Sequence, residues 1–156
     1  MNVTEKREAL ANLKSFAESL GFDGFGVTSP QLGIAEKRFV HWLDAGYDGE
    51  MSYIKRGEDK RKNPDLILQG VRSILCFRTN YFTIEKDMSY LEQRDNADIS
   101  IYALNRDYHD TITTRLRQME KKIHREIEGC RTKVYVDTGP ILEKPLAQQA
   151  GLGWIG

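Results

Sequence analysis

The sequence lacks any apolar run near the roughly 18 residues that a membrane-spanning helix needs, and residues 1–20 carry charge where a signal peptide would carry an apolar core. No membrane partner is expected, and the cytoplasm is the expected compartment. Cysteine is scarce: Cys76 and Cys130 are the only two, with no Cys-x-x-Cys spacing to organise zinc or an iron-sulfur cluster. Cys76 sits in an apolar run and reads as core; Cys130 reads as an ordinary thiol after a helix end. Net charge is missing as well. With 23 basic and 23 acidic residues, contact with nucleic acid must rest on a local cluster rather than on an overall field. The sequence also has no internal repeat and no low-complexity tract.

What is present fits one globular domain. A chain of 156 residues with 40% hydrophobic content can bury a real core but not two comfortable ones. Thr4 can cap a helix whose apolar face runs Leu10, Leu13, Ala17 and Leu20, with Gly21 as its stop. Residues 22–28 read as a short strand, and Ser29-Pro30 as the cap and first turn of a second helix with Leu32, Ala35, Phe39, Trp42 and Leu43 on one face. The run Ile74, Leu75, Cys76 and Phe77 has the pattern of a strand buried on both faces and central in a sheet.

Residues 83–99 turn polar and aperiodic and read as a long surface loop. Asp107 can cap a helix with Ile112, Leu116, Met119, Ile123 and Ile127 on one face, up to Gly129. Residues 133–137 alternate like a strand, break at Gly139-Pro140, and precede a short helix over 145–150. Strands alternating with helices predict an α/β or α+β fold, a single sheet layer with flanking helices. The chain closes on Gly153-Trp154-Ile155-Gly156, apolar where natural termini are more often polar, and this reads as a truncation.

Three segments carry candidate chemistry. The run from Tyr102 through Asp107, Tyr108 and His109 places a cation, an anion, phenols and an imidazole at a loop-to-helix junction whose unpaired N–H groups can hold polar ligand groups. The same residues equally read as a helix cap, the head of an apolar stripe and a solvated first-turn histidine. Asp107 and His109 also begin an Asp-x-His-x-x-Gly cobalt-ligand pattern, but position 112 is Ile, so His109 is not assigned as a ligand. Asp137 stands at the end of an apolar stretch before a tight turn. A carboxyl partly desolvated in such a crevice would titrate high and could donate a proton near neutral pH; the alternative is an aspartate that bonds its own turn. Tyr53, Lys55, Arg56, Lys60, Arg61 and Lys62 form a basic run that could meet phosphates or simply be a solvated face.

Taken in order, these segments resemble the epoxyqueuosine reductase family. Gly49, Met51, Tyr53 and Arg56 look like one family motif, followed by Arg61, Pro64 and residues 66–70, then Asn80-Tyr81. Tyr102-Ala103 with Asp107-Tyr108-His109 comes next, then residues 136–140 with Leu142-Glu143, and finally residues 150–156. The match runs over nearly the whole chain.

The resemblance implies reduction of the epoxide of epoxyqueuosine in a tRNA anticodon loop to queuosine, with cobalamin and two [4Fe-4S] clusters. The chain would be the amino-terminal cobalamin-binding domain, facing a ferredoxin-like domain placed downstream. It further implies Asp137 as proton donor, with Arg61, Ser100, Tyr102, Asp107, Tyr108 and His109 lining the corrinoid. Tyr53, Lys55 and Arg56 are the expected RNA contacts. Two departures qualify it. Asn105 stands where the family commonly has Gly, and the chain holds no cysteine clusters, so binding without turnover is expected of it alone. The competing readings are a corrinoid reductase of another substrate, such as an organohalide, and a non-catalytic corrinoid- or RNA-binding module.

Overall fold

The computed structural model of the chain describes residues 2–82, 99–104 and 106–155. The polar loop expected over 83–99 lies, save for its last residue, outside the described residues, as does Asn105.

Helix α1 spans Val3–Ser19. It is capped by Asn2, not Thr4: the Asn2 side chain accepts the Glu5 N–H at 2.9 Å while the Glu5 carboxylate accepts the Asn2 N–H at 2.8 Å. Glu three residues after Asn closes this reciprocal box, and Thr4 is left inside the helix. Leu13 and Ala17 are buried, but Leu10 is 46% exposed, because only the second half of α1 packs on the molecule's longest helix.

Strand β1, Gly24–Thr28, pairs antiparallel with β2, Ile74–Arg78, in a register that sets Gly26 opposite Cys76. Among the described residues this two-stranded sheet is the only one, so β2 is not a central strand. The apolar run has another cause. Leu75 and Phe77 pack toward the main core, and the opposite face, with Cys76 and Gly26, meets the last helix. Two covered faces make a continuous apolar strand whether or not it has neighbours on both edges.

Helix α2, Ile34–Asp44, begins after Gly33 (φ 56°) with no side-chain cap, so Ser29 and Pro30 precede it by several residues, while Leu32 is buried ahead of it. Two short helices follow, α3 (Ser52–Arg56) and α4 (Glu58–Lys62), then a 3₁₀ turn at Pro64–Leu66. The basic run lies on these. A second 3₁₀ turn, Ile101–Ala103, leads to α5, Tyr108–Glu126, where Asp107 is the cap as expected and Leu116, Met119 and Ile123 are buried. Helix α6 spans Glu143–Gln149. It starts two residues before Pro145, which sits in the first turn where a missing N–H leaves no intrahelical bond unmade.

The expected strand over 133–137 is not one: no ladder among the described residues pairs it. Val134 and Val136 are half-buried against the core instead, so the alternation reports packing rather than hydrogen bonding. The core itself joins Leu13 and Ala17 of α1, Phe22, and Leu116, Met119 and Ile123 of α5, with Phe22 and Phe77 rings 4.9 Å apart. Met119, 1% exposed, contributes about 2 kcal/mol by burial alone. The architecture is the mixed helix-and-strand class read from the sequence, with an antiparallel sheet between helices. No helix among the described residues is long and apolar enough to cross a membrane.

Candidate functional site

The start of α5 and the turn after residue 136 meet at one corner. Asp107 caps α5 by accepting the His109 backbone N–H at 2.8 Å, and the same oxygen lies 2.7 Å from His109 Nδ1. The backbone N–H first, and then the ring, hold the Asp107 carboxyl below its ordinary value. An ionised Asp107 fixes the tautomer: Nδ1 carries the proton and donates it, leaving Nε2 as the variable nitrogen. That nitrogen is buried, has no hydrogen-bond partner among the described residues, and faces Asp137 Oδ2 at 3.7 Å.

Tyr108, next in the helix, donates its hydroxyl to the same Asp137 Oδ2 at 2.8 Å. This bond, with desolvation and the Asp137 charge behind it, pushes the phenol up to about 12. Its ring stacks on His109 at 4.1 Å and takes Tyr102 edge-on at 5.9 Å, and Tyr102 in turn meets Tyr81 at 6.1 Å. The outer two rings, Tyr81 and Tyr102, are exposed, so an aromatic shelf runs outward from the corner.

Asp137 sits at the centre of a three-residue turn closed by Thr138 N–H donating to Val136 O at 2.6 Å. Its φ of 59° makes it the one non-glycine residue with positive φ among the described residues, the strained form of such a turn. Two contacts hold it there. Its N–H donates to Glu143 Oε1 at 2.8 Å from the first residue of α6. Gly139 lets the chain double back under Tyr135, where any Cβ would come within 2.5 Å of the ring.

The Asp137 side chain is 68% exposed. The sequence left open a partly desolvated carboxyl or an aspartate that bonds its own turn, and the exposed side chain is not the first. Glu143 is also exposed at its surface, but its pKa is raised, by desolvation first, with the Asp137 charge adding to this and the Asp137 N–H pulling the other way. Sequence reasoning did not single out Glu143, and its only signal was the Leu142-Glu143 pair at a helix start. Half-buried Cys76 is pushed up to about 11, by burial first and the Glu143 charge second, which keeps it an unreactive thiol.

The other expected site residues divide. Arg61, on α4, donates to Ile54 O at 3.3 Å and lies against Gly57, where an added Cβ would sit 3.5 Å from Pro140. It therefore lies near Pro140, three residues after Asp137. Ser100, exposed, opens the 3₁₀ turn that carries Tyr102. Tyr53, Lys55 and Arg56 are exposed on α3 and make none of the hydrogen bonds that tie the corner together. Among the described residues no group of three His, Cys, Asp or Glu side chains could hold a metal ion.

Residues 61–138 match the family described as Epoxyqueuosine reductase QueG, DUF1730. The epoxyqueuosine reductase of Pseudomonas aeruginosa is 38% identical over 146 residues, which is 93% of this chain and 40% of the relative. Among solved structures, a selenomethionine-labelled epoxyqueuosine reductase is similar at a TM-score of 0.76 and 26% identity, over 98% of this chain and 40% of that one. An epoxyqueuosine reductase with a tRNA-Tyr epoxyqueuosine-modified tRNA stem loop is similar at a TM-score of 0.74 and 25% identity, again over 98% and 40%. The chain thus spans about 40% of the length of the curated relatives it matches. On the residue 61–138 match and this degree of identity, the chain belongs to the epoxyqueuosine reductase family.

Proposed function

We propose that this chain forms the corrinoid-facing part of an epoxyqueuosine reductase, in which Asp137 protonates the oxygen that leaves the epoxide. The observation that carries this is the Asp137 turn: an exposed carboxyl on a strained backbone, fixed from below by Glu143 and from the side by Tyr108. Strain retained at such a position is the mark of a residue held for use.

The residues at hand fit cobalamin. The exposed Tyr81 and Tyr102, set edge-to-face, offer apolar contacts for the macrocycle, with Ser100 opening the same turn, Arg61 near Pro140 for its amide or phosphate groups, and the residue 107–109 corner beside Tyr102. When bound and reduced, the corrinoid supplies the electrons for opening the epoxide. The chain's own residues manage the proton. Asp137 donates it, and the Tyr108 hydroxyl, already on Oδ2, stabilises the carboxylate that remains.

The residues do not fit the [4Fe-4S] clusters, since two cysteines far apart cannot supply four thiolates. Those clusters and the ferredoxin-like domain are assigned to the remainder of the enzyme. The substrate, a tRNA anticodon loop carrying epoxyqueuosine, is supported by the relative solved with such a stem loop, and the exposed Tyr53, Lys55 and Arg56 are suited to its phosphates. With tRNA as substrate, the cytoplasm is the compartment proposed for the enzyme.

Asp137→Asn in the complete enzyme is the direct test. Asparagine tolerates positive φ and keeps the size of the side chain, so the turn should survive. Corrinoid binding, read from its absorption spectrum, should be nearly unchanged while epoxide reduction collapses. Full activity in this variant rules out Asp137 as the donor.

A further inference from the structure

Removing the oxygen of an epoxide as water breaks both C–O bonds, leaves a carbon–carbon double bond, and consumes two electrons and two protons. The reduced corrinoid accounts for the electrons. Asp137 holds only one proton, so the second must reach the same oxygen while the substrate still covers the site. Two groups reach Asp137 Oδ2, the Tyr108 hydroxyl at 2.8 Å and His109 Nε2 at 3.7 Å.

We propose that His109, oriented by Asp107, stores the second proton and passes it to Asp137 within a single turnover. This rests on the reading of Asp137 as donor and adds a supplier behind it. The geometry is specific. Asp107 accepts the Nδ1–H hydrogen bond at 2.7 Å, which sets the ring so that Nε2 is aimed at Asp137. Nε2 is buried and has no hydrogen-bond partner among the described residues, so none of them holds it in a competing bond. Tyr108 is the poorer source, because its phenol is pushed up to about 12.

The 3.7 Å gap is longer than a hydrogen bond, so transfer requires the Asp137 carboxylate to turn toward the ring. Its exposure and its exit on a single turn allow that. In the sequence of events, the Asp137 carboxylic acid first protonates the opening epoxide oxygen. The resulting carboxylate then takes the Nε2 proton, leaving a neutral imidazole with Nδ1–H still on Asp107. The reloaded acid finally protonates the same oxygen as it departs as water. Once product leaves, exposed Asp137 collects a proton from solvent and returns one to the buried Nε2, and a second proton reloads Asp137.

The experiment uses complete enzyme with corrinoid and an epoxyqueuosine-containing tRNA stem loop. His109→Ala should lower kcat about 100-fold, the lower end of what proton transfer contributes, with KM for the stem loop and the corrinoid spectrum little changed. Added imidazole should restore activity in a saturable way in this variant and have no effect on Asp137→Asn. Asp107→Asn, which keeps a competent helix cap, should give a smaller loss. Unchanged kcat in His109→Ala, a parallel loss of corrinoid binding, or no response to imidazole overturns the relay. If Asp137→Asn is inactive in the same assays, the donor reading stands regardless of the relay's fate. If Asp137→Asn is fully active, the donor reading itself fails.

Discussion

At the scale of single residues the corner works through a few short bonds, and each makes a measurable claim. Tyr108→Phe removes a hydroxyl that donates to an exposed carboxylate. Losing such a bond costs about 1.5 kcal/mol, so kcat of the complete enzyme should fall roughly tenfold at nearly constant KM. Steady-state kinetics check this.

Asp107 gives a pH dependence with a definite sign. Its folded pKa is depressed below 3.8 by the His109 backbone N–H first and the ring next. The stability it adds is therefore fully present above that ordinary value and lost as pH falls through the lower folded value. The Tm difference between the native chain and Asp107→Ala should be present at about pH 5 and close below about pH 3.8. Thermal melts across that range decide it. Asp107 was readable as a cap because Asp before an apolar helical stripe has a local meaning. Glu143 was not readable, because its partner is a backbone N–H brought to it by a turn six residues upstream.

At the scale of elements, the site depends on how α6 seats on the sheet. Gly26 of β1 touches the Ala150 carbonyl and side chain so closely that a methyl group there would displace α6. Gly26→Ala should destabilise the chain by about 1–3 kcal/mol. Because Glu143 leads α6, the variant should also loosen the Asp137 turn, seen as lowered activity in the complete enzyme at temperatures where it remains folded. Denaturant melts alongside turnover separate the two effects. Met119→Ala in α5 leaves a cavity at the centre of the core and should cost about 2–5 kcal/mol.

Helix α5 was legible in outline, cap included, because its stripe keeps one period for five residues. The segment over 133–137 misled because alternation shows which side chains are inward, and Val134 and Val136 satisfy that against the core without a neighbouring strand.

At the scale of the whole molecule, exposed apolar side chains are spread along the chain, among them Tyr81, Phe82, Ile99, Tyr102, Leu104, Trp154 and Ile155. Apolar surface of this kind favours association. Trp154, 82% exposed, should emit like a solvated indole, and Trp154→Ser should lower light scattering of the isolated chain at high concentration without lowering its Tm. Unaltered scattering would show that association uses other residues.

The sequence by itself determined the class of elements, the helix that carries the corner, and the family, since helical period, capping chemistry and ordered motifs are local along the chain. Only the tertiary structure decided that the exposed Asp137 is held by Glu143, that β2 lies in a two-stranded sheet, and that His109 Nε2 faces the carboxylate. Those facts depend on where separate segments meet, and no periodicity within one segment encodes what the fold places opposite it.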